Sequence, residues 1–313
     1  MTKITLLCHP AKYSNFISVP HFDTLWSNYF TREFLDFNKK YDPASCIITV
    51  NHLQKDETWY KLYLDQGFRL IIDNLWDNHT QTISTINGSI LTLRAPNWAW
   101  FNSALNYIDL KYDELTLKSC PTKFFLMLMR LKRLHRDQLL KRTEAYLSDS
   151  LYSYTSQGIT MNNDMIINGD VEQHYINPHW YESTVFSLVA ESNLTSPTFM
   201  SEKTFKPIAF EHPFIVWGSP NTLKYLHTMG FETFGHVIDE TYDSIDDNNK
   251  RLNSIIKIID NLFIDFKNKN LQFADTLTQQ KLKHNREHFY NQELLLKMFI
   301  QEVVNPILEF VEK

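Results

Sequence analysis

Seven short apolar runs, spaced by stretches long enough for a helix, restrict this chain to layered α/β folds. Residues 4–7, 47–50, 68–72 and 90–93 form a first series, each four or five residues long and rich in Ile, Leu and Val. A second series follows at 123–128, 184–190 and 213–217. Short runs rich in apolar residues predict buried strands, and their alternation with helical segments predicts parallel sheets. Between the series lies the polar stretch 109–121, ending in Ser119-Cys120-Pro121, where the residue before proline resists helix. The expected division is an N-terminal α/β domain over 1–118 and a second α/β domain over 119–285. Towards the C-terminus the pattern turns helical: Leu252, Ile255, Ile256 and Ile259 share one face, and Leu294, Leu295, Phe299, Val303 and Ile307 another. The tail 286–313 is expected to pack as a helix back across the domains, kinked at Pro306. With 313 residues and 43% apolar content, the chain can bury two cores of ordinary size.

Charge argues against a protein built to coat nucleic acid or an anionic membrane, because 31 basic residues face 36 acidic ones for a net charge of -5. Cys8, Cys46 and Cys120 are too widely spaced for a zinc site or a disulfide framework and read as reduced, mostly buried thiols. The first residues are too short an apolar run for a signal peptide and no stretch approaches a membrane span, so a cytoplasmic location is expected. Of only seven glycines, Gly218, Gly230 and Gly235 fall in one short segment, marking backbone that turns sharply or admits a ligand closely.

The most informative segment is 199–220, reading Phe199-Met200-Ser201-Glu202-Lys203-Thr204 and ending Val216-Trp217-Gly218-Ser219-Pro220. It predicts a loop entering a helix, then a buried strand, then a turn. A helix with Ser201 as its cap and Lys203 in its first turn brings backbone N–H groups and a positive charge together, which suits an anion. The strand after it ends at Trp217, and ligands of open α/β sheets bind just beyond such strand ends. An ordinary capping box on a surface helix has the same spacing.

This segment resembles the donor-binding motif of the α-1,3-fucosyltransferase family, in which a Glu-Lys pair starts a helix and a Trp-Gly-Ser-Pro turn follows the next strand. Upstream, Phe186-Ser187-Leu188-Val189-Ala190-Glu191-Ser192-Asn193 is similar to the family's Phe-x-Leu-x-Phe-Glu-Asn-Ser strand end. A third element fits: the family's phosphate-contacting arginine opens a helix after the first strand of the C-terminal domain, the position of Arg136 here. The likeness covers roughly residues 123–260. It implies a GT-B architecture, two Rossmann-like domains facing a central cleft, with a nucleoside diphosphate sugar held in the second domain and transferred with inversion to a glycan or other hydroxyl-bearing acceptor. Phe199 replaces the family's motif tyrosine, and Ala190-Glu191-Ser192 its Phe-Glu-Asn, so a sugar other than fucose and a base other than guanine stay open.

On this reading Lys203 and Arg136 neutralise the leaving diphosphate, while Ser201, Glu202, Glu191, Asn193, Gly218 and Ser219 complete the donor site. The general base is expected from the N-terminal domain at Asp73 or Asp77, after the strand at 68–72, where helix capping is the competing use. His9, after the first strand, could line the acceptor side. His174, His179, His212, His227 and His236 make no metal-ligand spacing and no Asp-x-Asp run is placed for a metal, so a metal-independent enzyme without a cofactor is expected. Asp239, Glu240, Asp243, Asp246 and Asp247 read as a solvated acidic loop, with a donor-contact role left open by its placement beyond a strand. Three alternatives stay open: a non-catalytic nucleotide- or glycan-binding module, a nucleic-acid binder using the basic run 130–142, and a transferase acting on modified nucleic-acid bases.

Overall fold

A computed structural model describes residues 4–8, 30–36, 38–51, 58–73, 84–161, 166–167, 170–171, 176–196, 199–270 and 272–312. The chain forms two compact units, Met1–Phe101 with Gln292–Lys313, and Asn102–Asn291. It is a mixed α/β protein with a parallel sheet in each unit and helices at its C-terminus.

In the first unit the strands are β1 (Ile4–Cys8), β2 (Phe30–Phe34), β3 (Cys46–Asn51), β4 (Arg69–Asp73), β5 (Thr85–Asn87) and β6 (Ile90–Leu93). They lie in the order β2-β1-β3-β4-β6-β5, parallel throughout except for β5 against β6. Leu6, Leu7, Ile47, Ile48, Leu70 and Ile71 are fully buried, so adjacent residues that point to opposite faces are both covered. That is why these strands are continuous apolar runs and not alternating ones. Helices α1 (Thr58–Asp65) and α2 (Trp98–Asp109) belong to this half of the chain, α2 crossing into the second unit at its first turn.

The second unit carries β7 (Lys123–Met129), β8 (Leu151–Tyr154), β11 (Thr184–Ala190) and β12 (Phe214–Trp217), with a separate short antiparallel pair, β9 (Ile166–Ile167) and β10 (Asp170–Val171). The main sheet is parallel in the order β12-β11-β7-β8. From β7 the chain moves outward to β8, then returns to the other side of β7 for β11 and β12. The topological switch point therefore lies between the carboxyl ends of β7 and β11, where open α/β sheets bind their ligands. Around the sheet lie α3 (Leu134–Arg142), α4 (Pro178–Glu182), α5 (Glu202–Ala209), α6 (Thr222–Thr228), α7 (Asn248–Lys267) and α8 (Thr276–Phe289).

The polar stretch 109–121 lies wholly within the second unit. The Tyr112 hydroxyl donates to Ile176 O at 2.9 Å and accepts from Ile176 N at 3.0 Å, and Arg286 Nη2 donates to the carbonyls of Tyr112, Asp113 and Leu115. The last helices, α9 (Gln292–Phe299) and α10 (Asn305–Glu312), group with the first unit. Arg69 on β4 donates to Phe310 O and Val311 O, both at 2.9 Å, placing a cation at the helix's carboxyl end. Phe101 stacks on Phe299 at 5.3 Å, and Glu302 accepts from Asn97 N and Nδ2. Pro306 is the second residue of α10, and the disturbance it causes appears one turn earlier, as a π-helical stretch over Ile300–Val304. Proline cannot donate to the carbonyl four residues back and its ring crowds that turn, so the backbone widens there. Of the cysteines, Cys46 is buried and Cys120 is exposed in the irregular chain before β7, the latter against the expectation of buried thiols.

Candidate functional site

The residues expected to bind a donor converge on the switch point of the second unit. Glu191, the first residue after β11, is fully buried, and its carboxylate organises the start of α5. Oε1 accepts from Ser201 N at 3.0 Å and from Thr204 Oγ1 at 2.6 Å, while Oε2 accepts from Ser201 Oγ at 2.6 Å and Ser192 N at 3.3 Å. Ser201 is the N-cap, and its hydroxyl accepts from Lys203 N at 3.4 Å. A buried anion at a helix N-terminus is favoured by the helix dipole and by charge-assisted hydrogen bonds. Sequence reasoning found the cap, which is local, but not Thr204, whose hydroxyl meets Glu191 only once α5 is packed on β11.

Lys203 Nζ lies 2.6 Å from Glu202 Oε1 and 3.3 Å from Ser201 Oγ. The Lys203 and Glu202 side chains are 15% and 13% exposed, a largely enclosed ion pair. Burial pushes the Glu202 carboxyl upward, but the nearby charges of Lys203 and Lys206 and the hydrogen bond from Lys203 outweigh it and hold the group at about 2.

Arg136, near the start of α3, is 1% exposed. Nη1 donates to Leu131 O at 2.9 Å, and Nη2 to Ala190 O at 3.0 Å and Ser192 Oγ at 3.1 Å. These bonds bolt the loop after β7 to the end of β11, across the switch point. Desolvation lowers the Arg136 pKa, the Glu191 charge opposing it, and the guanidinium stays charged. The neighbouring residue was not foreseen: His135 Nε2 donates to Glu191 O at 2.8 Å, and its ring stands edge-on to Trp217 at 5.5 Å and 85°. Burial lowers the His135 pKa, keeping the ring neutral.

The turn after β12 is laced to the loop after β11. Ser219 Oγ donates to Ser196 O at 2.5 Å, and Asn193 Oδ1 accepts from Thr195 N and Ser196 N at 2.8 and 3.1 Å. A Cβ on Gly218 would stand 2.9 Å from Thr222 Oγ1, so glycine here answers to the following helix. Beneath the turn lies a second buried arginine that sequence reasoning missed. Arg251 is 1% exposed, and its Nη2 donates to Gly218 O at 2.9 Å. Of the acidic loop expected to be solvated, two members are interior acceptors instead: Asp243 takes Leu223 N and Lys224 N at 3.0 and 3.1 Å, and Glu240 takes Thr233 Oγ1 and Phe234 N, both at 2.7 Å. A solvated loop could not supply the acceptors that the start of α6 needs.

Three buried N–H groups around these strand ends have no acceptor among the described residues: Arg136 Nε, Trp217 Nε1 and Arg251 Nε. They belong to one neighbourhood, since Trp217 is the register partner of Ala190, Arg136 is bonded to Ala190, and Arg251 to Gly218. Buried donors are nearly always paired, so this local surplus is a chemical feature of the site.

Asp73 is the last residue of β4, level with Asn51 on β3 and Leu93 on β6. Asp77, His9 and His174 lie outside the described residues. Among the described residues no group of three His, Cys, Asp or Glu side chains could hold a metal ion, and no helix is long and apolar enough to cross a membrane. His212 is a core residue, its Nε2 donating to Thr184 O at 2.9 Å and its Nδ1 accepting from Ser187 Oγ at 2.9 Å.

No family model and no curated protein matches the sequence. Solved structures align with its fold. A crystal structure of an alpha1,3-fucosyltransferase aligns with 100% of this chain and 91% of its own, at 11% identity and a TM-score of 0.46. An alpha1,3-fucosyltransferase with GDP-fucose aligns with 94% and 90%, at 12% identity and 0.41, and one with GDP with 99% and 91%, at 11% and 0.42. The chain is distantly similar to these structures.

Proposed function

We propose that this chain is a glycosyltransferase that holds a nucleoside diphosphate sugar at the carboxyl edge of the second unit's sheet and passes the sugar to an acceptor hydroxyl. One observation carries the proposal: Arg136, Arg251, Trp217 and Lys203 gather cationic charge and unused N–H donors around the carboxyl ends of β11 and β12, beside the switch point of a parallel sheet. A diphosphate is the ligand class that uses several converging donors at once, and the motif likeness in this segment points the same way.

Departure of the diphosphate builds negative charge on its phosphate oxygens as the acceptor oxygen attacks the anomeric carbon. Lys203 then exchanges its contact with Glu202 for the phosphate, and the buried Arg136 supplies charge from behind while fixing the loop. Asp73 or Asp77 takes the acceptor proton, and attack opposite the leaving group inverts the anomeric centre. The donor is a hexosyl or fucosyl nucleotide and the reaction proceeds without a metal.

Thermal denaturation with GDP-fucose, GDP-mannose, UDP-glucose and UDP-N-acetylglucosamine tests this directly. A donor at a hundred times its dissociation constant adds about 2.7 kcal/mol of stability. One member of the panel is expected to raise the melting temperature, and Lys203→Ala to weaken that donor by roughly tenfold or more. Lack of a shift with every member overturns the donor site. A shift with no sugar transfer or hydrolysis leaves a binding module in place of an enzyme, and loss of activity in excess chelator refutes metal independence.

A further inference from the structure

The sheet of the second unit has a second concavity, at the opposite end of its strands. A cavity of about 380 Å³ opens where Pro121 leads into β7, where Glu182 and Val185 flank the start of β11, and where Pro213 precedes β12. It falls within the roughly 300–1,000 Å³ typical of small-molecule sites. Since β11 is seven residues long, this edge stands roughly 20 Å from Glu191 along the strand.

We propose that this cavity binds a small organic cation, an ammonium or guanidinium carried on an apolar or aromatic body. The walls suit the body. Tyr181 is stacked on Phe210 at 4.8 Å and 20°, and Phe273 and Leu282 close the cavity from the side of α8. The charged part of the polar lining suits a cation, because it consists of the carboxylates of Glu182 and Glu211, beside the neutral Ser119, Tyr181, His212 and Gln279. Glu182 accepts from Lys118 N at 3.0 Å through Oε1, with His179 Nδ1 3.8 Å from Oε2. Glu211 Oε1 faces Arg286 Nη1 at 3.1 Å, and no bond is made to its second oxygen among the described residues. Gln279 donates one Nε2 hydrogen to Phe273 O at 3.2 Å, and its carbonyl oxygen is a further acceptor at the cavity. His212 brings no charge, for both ring nitrogens are committed to Thr184 and Ser187.

No Lys or Arg is among the described lining residues; the Glu182 and Glu211 side chains are 27% and 33% exposed, and the one basic partner of Glu211, Arg286, holds its Oε1 from outside the lining. A phosphate or carboxylate is disfavoured at such a lining, whereas a cation meets the Glu182 carboxylate and the second oxygen of Glu211 beside an apolar wall. The position of Glu211 adds weight. It directly follows the C-cap of α5 with φ of 48°, a place where glycine or asparagine is the strain-free choice. A glutamate there costs backbone energy, which the ion pair with Arg286 offsets while the second carboxylate oxygen keeps no bond among the described residues.

Calorimetric titration of the full chain with three ligands that share one indole body isolates the charge: tryptamine, tryptophol and indole-3-acetate. Tryptamine is expected to saturate a single site and to bind at least about tenfold more tightly than tryptophol, with no binding of the acid. Glu182→Gln and Glu211→Gln are each expected to weaken tryptamine by about tenfold. Glu182→Gln leaves the Arg286 pair intact, so it reports on the site even where Glu211→Gln loosens the fold. Absence of tryptamine binding, equal binding of all three ligands, or undiminished binding in a folded Glu182→Gln protein overturns the proposal.

Discussion

Glu191→Gln changes one oxygen to an amide nitrogen and tests whether the buried carboxylate holds the start of α5. Both carboxylate oxygens accept two bonds each, from Ser201 N, Thr204 Oγ1, Ser201 Oγ and Ser192 N. In the better orientation the amide nitrogen replaces Oε2. The Ser201 hydroxyl can then rotate to accept, but Ser192 N–H loses its partner. The two bonds that survive at Oε1 fall from charge-assisted to neutral strength, about 1 kcal/mol less apiece. With the orphaned amide added, the cost to the second unit is about 3 kcal/mol. Urea denaturation followed by hydrogen exchange at the amides of 201–205 reads it: the midpoint should fall with the slope unchanged, and protection in the first turn of α5 should fall most. A loss below about 1 kcal/mol would refute the reasoning, since neutral capping by Ser201 alone would then suffice.

Other consequences follow from buried groups elsewhere in the second unit. Desolvation holds His212 at about 4 in the fold against an unperturbed 6.5, so the unfolded chain binds a proton first. The stability this contributes is complete above pH 6.5 and is lost as pH falls through 4, about 3 kcal/mol in all; His212→Gln should flatten that part of a stability–pH curve. Glu202, held at about 2 against 4.5, has the same sign at lower pH: its contribution is intact above 4.5 and disappears as pH falls through 2, and it should vanish from the acid limb in Glu202→Gln. Gly230 has φ of 90°, and a Cβ there would stand 2.7 Å from His288 Nε2, which holds Met229 O. Gly230→Ala should therefore cost more than Gly158→Ala, which meets only backbone strain at φ of 75°; equal midpoints would show that the His288 contact is dispensable.

Much of the frame was legible along the chain. Central strands are covered on both faces, so β1, β3, β4, β6, β7 and β11 announce themselves as apolar-rich runs, and so does β12, an edge strand buried along its whole length. The cap at Ser201 and the amphipathic faces of α7, α9 and α10 depend on residues within a few positions, and these too were readable. Among the strands that escaped notice, β2 as Phe30-Thr31-Arg32-Glu33-Phe34, β5 as Thr85-Ile86-Asn87 and β8 as Leu151-Tyr152-Ser153-Tyr154 lie at sheet edges, where one side meets less protein and the apolar signal thins, and β9 and β10 are only two residues long.

Tertiary structure alone decided which residues meet. Arg136 reaches Ala190 from 54 positions away and Arg251 reaches Gly218 from 33, because the order β12-β11-β7-β8 sets the ends of non-consecutive strands side by side. Arg69 and the carbonyls of α10 are 241 positions apart and still adjacent. Strand and helix propensities act over a few residues and are written locally. The order of strands is settled by which faces bury one another, and so the partners of a buried charge are known only when the fold is.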